Sequence, residues 1–203
     1  MTPDLLLALA AFCLVSSITP GPNNLMLMAS GANFGFRRSI PHMLGIALGF
    51  TVMVALVGAG LIQVFDAYPV SHTILTVFSV IYLLWLAWKI ATAVPPKGDV
   101  AQNARPFTFV QAALFQWVNP KAWTMALTAI TVYAADRSLA GILLVSLVFG
   151  LVNLPSISLW TIMGEQMRRI LKNPTRLRAF NWTMAGLLVA SLIPLIYPSG
   201  NRF

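Results

Sequence analysis

Residues Ser16 to Asn24, SSITPGPNN, put three hydroxyls, two asparagines, two prolines and a glycine inside one apolar run. Proline removes a backbone donor and its ring clashes with the preceding turn, so a helix cannot pass through this stretch unbroken. In hydrocarbon, freed carbonyls and polar side chains are costly unless a cavity, a ligand or another helix satisfies them. The chemistry on offer is recognition of a small polar molecule by donors and acceptors gathered at an interrupted helix. A second stretch repeats the grammar. Asn119-Pro120, like Thr19-Pro20, reads as an N-cap followed by proline at the first helical position. Each break would start a half-helix whose open N–H groups and positive dipole end attract anions, a substrate carboxylate included.

Spacing extends the two breaks into polar stripes. Ser16, Thr19 (or Pro20) and Asn23 share a face, with Asn24 beside them; Gln116, Asn119 and Trp123 share another; Ser146, Gly150, Asn153, Ser156 and Trp160 form a further one. One stripe alone is ordinary interhelical hydrogen bonding. Three stripes with two paired breaks point to a site. The candidate substrate-binding residues are Ser16, Thr19, Pro20, Gly21, Pro22, Asn23, Asn24, Gln116, Asn119, Pro120, Lys121, Asn153 and Ser156. Lys121 is the one charged residue deep in an apolar run, where charge is functional by default. It could pair with a carboxylate or bond the carbonyls freed by the opposite break.

Other chemistries are poorly served. The single cysteine, Cys13, excludes an internal disulfide, a CxxC pair and a thiolate cage. With His42 and His72 as the only imidazoles, no Ser–His pairing or metal-ligand set is supported by spacing. No catalytic residue, metal or cofactor is expected. His42, near the inner end of the second run, could carry a proton or act as an interfacial hydrogen-bonder. Asp66 and Asp136 fall in outer loops and Glu165 at the inner end of the fifth run, so no deep carboxylate is visible for proton coupling.

The elements that must hold these residues are membrane helices. Of 203 residues, 58% are hydrophobic and 9% charged, against about a quarter charged in a soluble domain. The mean hydropathy is +0.80. Long apolar runs without period-two alternation exclude a barrel. The net charge of +8 reads as basic cytoplasmic loops, not as a nucleic-acid surface. The start MTPD lacks a positive n-region, so the first run is read as a retained helix. The lipid bilayer is the expected surrounding.

Six runs approach the roughly 20 residues a span needs: 4–30, 40–63, 71–93, 107–133, 138–163 and 179–198. Arg37, Arg38, Lys89, Lys97, Arg105, Arg168, Arg169, Lys172, Arg176 and Arg178 fall on one side, and Arg137 and Arg202 on the other. This bias puts the 1–2, 3–4 and 5–6 loops in the cytoplasm and both termini outside. The basic 5–6 loop could also lie on the anionic inner leaflet. The polar segment Pro95 to Pro106 divides one transmembrane domain into halves, 1–94 and 107–203. Three spans per half make the halves inverted, with a proline-broken helix first in each. Gly45 and Gly49 form a GxxxG that could serve internal packing or a homodimer. Trp85, Trp88 and Lys89 read as an interfacial belt.

TPGPNN at Thr19 to Asn24, GFRRSIPHMLGI at Gly35 to Ile46 and WVNPKAW at Trp117 to Trp123 together resemble the lysine exporter family in its homoserine/threonine-resistance (LysE/RhtB) branch. The resemblance covers essentially the whole chain. It implies a bacterial inner-membrane secondary transporter that exports amino acids or close derivatives, small zwitterions, with the proton gradient as driving force. By position, the family's paired motifs fall on Thr19, Pro20, Gly21, Pro22 and Asn23, and on Asn119, Pro120, Lys121 and Ala122. Some members carry an acidic residue after TPGP where this chain has Asn23, which puts an aspartate-based coupling in doubt. The alternative reading is a passive channel, or an exporter of another small polar metabolite or ion.

Overall fold

The computed structural model describes residues 1–61, 63, 67–93, 105–134, 138–171 and 173–193, and every regular element among them is helical. Helix α1 (Pro3–Ile18) opens on Thr2, whose side chain accepts the Leu5 N–H. Helix α2 (Pro22–Phe34) follows at a bend of 56°. Gly35, at φ 82°, turns the chain directly into α3 (Phe36–Leu56), a left-handed conformation that a Cβ would oppose. A π-helical turn, Val57–Leu61, ends α3. Helix α4 (Pro69–Ala91) comes next. Helix α5 (Phe109–Phe115) begins with a reciprocal cap between Thr108 and Gln111. A 3₁₀ turn (Gln116–Val118) leads to α6 (Pro120–Tyr133). Helix α7 (Leu139–Ile170) and helix α8 (Pro174–Ala190) complete the order.

By length and composition, Phe36–Leu61, Thr73–Ala91 and Leu139–Met167 can each cross a membrane, and the bent pair α1–α2 adds a fourth. The fourth run, 107–133, is divided at the expected proline into two helices joined by a 3₁₀ turn, because Pro120 cannot continue the ladder of α5. The sixth begins at Pro174, five residues before the expected start, because Asn173 caps it by accepting the Thr175 N–H. The fifth continues to Ile170 through Pro155. Lys97, Asp66, Asp136, Arg137, Lys172, Pro194, Arg202 and nearly all of the 95–106 segment lie outside the described residues, as do the side chains of His72, Arg168 and Arg169.

Helix α7 is the hub, packed along α1, α2 and α3. Glycines let the backbones meet: a Cβ on Gly31 would stand 2.1 Å from the Thr161 carbonyl oxygen, and one on Gly164 would stand 2.0 Å from that of Met28. Such close approach is how membrane helices gain packing where lipid offers no hydrophobic drive. Gly45 and Gly49 are filled from within the chain. Their Cβ positions lie 2.3 Å from the Phe109 oxygen and 2.6 Å from the Ala113 Cα, so the GxxxG seats α5 on α3. One buried cluster joins Leu9, Cys13, Phe50 and Phe149 with the alanines of α6. Another joins Leu25, Leu83, Leu86, Phe115 and Leu188 between α2, α4, α5 and α8. Leu7, Leu14, Leu48, Val52, Leu147 and Leu151 point outward, as a lipid-facing surface requires.

Candidate functional site

The first break is built from residues 18 to 22. Thr19 closes α1: its N–H and its hydroxyl both donate to the Val15 carbonyl. Gly21 is extended (φ −172°, ψ 177°) and Pro22 begins α2. This corrects the expected Thr19-Pro20 cap. Gly21 is the N-cap, it provides no side-chain acceptor, and the helix starts two residues later. Thr19 is instead drawn back to the last turn of α1, and Pro22, with its preset φ, nucleates the new helix.

The carbonyls left by the break are answered one by one. Asn24 Nδ2 donates to Ser17 O (2.9 Å) and Thr19 O (2.8 Å). Trp160 Nε1 of α7 donates to Ile18 O at 3.1 Å. Lys121 Nζ, from the second break, donates to Thr19 O and reaches Pro20 O at 3.4 Å. Of the two roles open to Lys121, bonding to the carbonyls of the opposite break is the one seen. Its side chain lies over Gly21, where a Cβ would come within 2.6 Å of Lys121 Cδ. Space, not backbone conformation, is what requires glycine there.

The second break is shorter. Asn119 N–H donates to Gln116 O (3.3 Å), and Asn119 Oδ1 accepts the Lys121 N–H (3.2 Å), starting α6 at Pro120. Gln116 is fully buried and forms a reciprocal amide pair with Asn23, at 2.8 and 3.2 Å, across the two breaks.

Between the breaks lies a void of about 20 Å³, bordered by Ser16, Gly21, Asn23, Asn24, Asn119, Lys121 and Asn153. Ser17, Phe50, Ala122 and Met125 also line it and were not among the expected site residues. Ser17 adjoins Ser16 within the opening motif and Ala122 closes the second paired motif, so their signals were present; Phe50 and Met125 are apolar wall residues with no sequence signal. The Ser17 hydroxyl is buried without a hydrogen-bond partner among the described residues. Such an open polar atom is uncommon in a folded interior. The void is large enough for about one water.

Other expected residues stand apart from the void. Ser156 Oγ donates within its helix to Val152 O at 2.8 Å. Gln116, Thr19, Pro20, Pro22 and Pro120 shape the breaks without lining it. From the other stripes, Ser146 bonds Ile142 O, Gly150 packs on Thr51, and Trp123 donates to Trp117 O. His42 does not reach the void either. It borders a separate cavity of about 350 Å³ near Lys89 and Arg105. Among the described residues no group of three or more metal-ligating side chains occurs.

Cysteine/O-acetylserine efflux proteins of Escherichia coli (strain K12), Shigella sonnei (strain Ss046) and Shigella flexneri are each 30% identical over 199 residues, spanning 97% of this chain and 100% of the relative. No solved structure matches. The LysE type translocator family model matches residues 14–197, a span that contains both breaks. The chain therefore belongs to the LysE type translocator family, whose members are transporters and not enzymes.

Proposed function

We propose that this protein exports amino acids or close derivatives across the bacterial inner membrane, driven by the proton gradient, with its substrate site at the two facing breaks. The names of the relatives suggest cysteine and O-acetylserine as the first compounds to try. The observation that carries the reading is Lys121. Its ammonium reaches from one broken helix to the carbonyls of the other, beside four asparagines and the buried Ser17 hydroxyl, which has no partner among the described residues. A substrate carboxylate is the natural competitor for that ammonium, and the uncapped start of α2 offers it further N–H groups.

A void of about 20 Å³ is far below the roughly 300 Å³ or more of a small-molecule pocket. Binding must therefore part the two breaks. When Lys121 turns from Thr19 and Pro20 to the substrate, the tie between α1 and α6 is released, and substrate binding is coupled to helix movement. In this reading α1–α2, α3, α4, α5–α6, α7 and α8 make six crossings in two inverted halves, 1–94 and 107–203, with a cytoplasmic 95–106 linker. Both termini face outside, following the Lys and Arg bias. The bend at α1–α2 and the Asn119 cap support the broken-helix part of this plan.

The test is efflux from proteoliposomes preloaded with labelled O-acetyl-L-serine or L-cysteine under an imposed proton gradient. Uphill, gradient-dependent loss of label is expected from the wild type. Equilibration without concentration against a gradient would replace the exporter with a channel.

A further inference from the structure

The cavity of about 350 Å³ lies between α2, α4, the first turns of α3 and the segment entering α5. Its lining is of two chemical kinds. Lys89 and Arg105 are exposed cations, and no acidic side chain lines the cavity among the described residues. Asn33 and His42 are buried polar residues. Asn33 Nδ2 donates to Ala29 O (2.8 Å) and Asn181 Oδ1 (3.1 Å). Those bonds fix the amide orientation, since a flipped amide would set oxygen against oxygen. Asn33 Oδ1 is thereby left as a buried acceptor with no partner among the described residues. His42 is stacked on Phe107, with ring centroids 5.3 Å apart, and neither ring nitrogen has a partner among the described residues. Three buried polar atoms on residues lining one cavity, without a partner among the described residues, are a departure that calls for an explanation, and burial without hydrogen bonds is unfavourable for each. Much of the remaining lining, Met26, Leu86 and Ile90 among it, is apolar.

We propose that this cavity is a second, inner binding site that holds an amino-acid zwitterion before it reaches the central void. The carboxylate faces Lys89 and Arg105, and the ammonium donates to Asn33 Oδ1 and to the acceptor nitrogen of a neutral His42. The volume suits a small ligand, which the central void as it stands does not. The proposal rests on the export reading above, because it takes the Lys- and Arg-rich side as the cytoplasmic, substrate-loading side.

His42 and His72 are the only imidazoles in the chain, so the His72→Gln variant carries a single ring signal. With ring-labelled histidine in nanodisc-embedded protein, fresh O-acetyl-L-serine should shift the His42 resonances saturably, and its methyl ester, which lacks the carboxylate, should not. Lys89→Gln with Arg105→Gln should raise the apparent Kd about tenfold or more, as loss of charge-assisted bonds implies. Lys121→Ala should leave the shift in place. The inner site is overturned by the absence of a saturable shift at concentrations that saturate efflux. It is equally overturned by a shift that the methyl ester reproduces, or by one that Lys121→Ala abolishes and the Lys89/Arg105 change spares. Efflux measured on the same preparation separates the two readings. Efflux without a His42 response removes the inner site and leaves export standing, whereas a response without efflux removes export of that compound and leaves the inner site.

Discussion

The break between α1 and α2 and the break between α5 and α6 both rest on proline, but they satisfy their backbones in different ways. The second is local. A 3₁₀ turn, the Asn119 cap and the Trp123–Trp117 bond all fall between Gln116 and Trp123. The first is open. It bends by 56°, its new helix has no side-chain cap, and two of its four bonded carbonyls depend on other helices entirely: Ile18 on Trp160 and Pro20 on Lys121. The second break satisfies its own backbone, and it lends Lys121 and Gln116 to the first, which does not. In the proposed mechanism the first break is the element whose contacts the substrate exchanges.

Lys121→Ala is the strongest way to break this asymmetry. It leaves Pro20 O without its donor and removes the cation from the site, so efflux is expected to fall by tenfold or more and stability by about 2 kcal/mol. Proteoliposome efflux and thermal unfolding of the same sample measure both. Lys121→Gln sharpens the result. It keeps a donor without the charge, so melting should move back toward wild type while efflux stays low. Wild-type efflux in this variant would reduce Lys121 to a structural tie.

Gly21→Ala comes next. The added methyl would sit 2.6 Å from Lys121 Cδ, and the lysine must swing off the break to admit it. Efflux should drop several-fold, by less than in Lys121→Ala, with a small change in melting. Trp160→Phe removes the donor to Ile18 O while keeping an aromatic ring, and about 1 kcal/mol of stability should go with it. Asn119→Ala strikes the local break instead. A lost N-cap is worth about 1 kcal/mol, and hydrogen exchange should show the added opening confined to the first turn of α6. Exchange that spreads equally into α1 and α2 would contradict the view of the second break as self-contained.

The difference between the breaks also explains what could be read from the chain. Asn119 precedes a single proline, so the position of its cap is legible in sequence. Thr19-Pro20-Gly21-Pro22 contains two prolines two positions apart, and either could begin a helix. The choice fell to Pro22 because the Thr19 hydroxyl bonds back to Val15 O and Gly21 takes an extended conformation. Ser156 stands apart from the void for a related reason, although Asn153 of the same stripe lines it: a serine in a membrane helix can satisfy itself on the carbonyl four residues back, as Ser156 does on Val152. GxxxG left two outcomes open, and the seating of Ala113 against Gly49 assigns the glycines to packing within the chain.

By itself, the sequence determined that this chain is a bundle of apolar helices, which stretches interrupt them, and which family it resembles. Those properties follow from composition, from proline's missing donor and from short contiguous motifs. Tertiary structure alone decided that Gln116 meets Asn23, that Lys121 lies across Gly21 onto the carbonyls of Thr19 and Pro20, and that His42 borders a separate cavity. Those pairings join residues about a hundred positions apart, or set one residue among three other segments. They depend on how the glycine faces of α2, α3 and α7 let the helices close together, which no local pattern encodes.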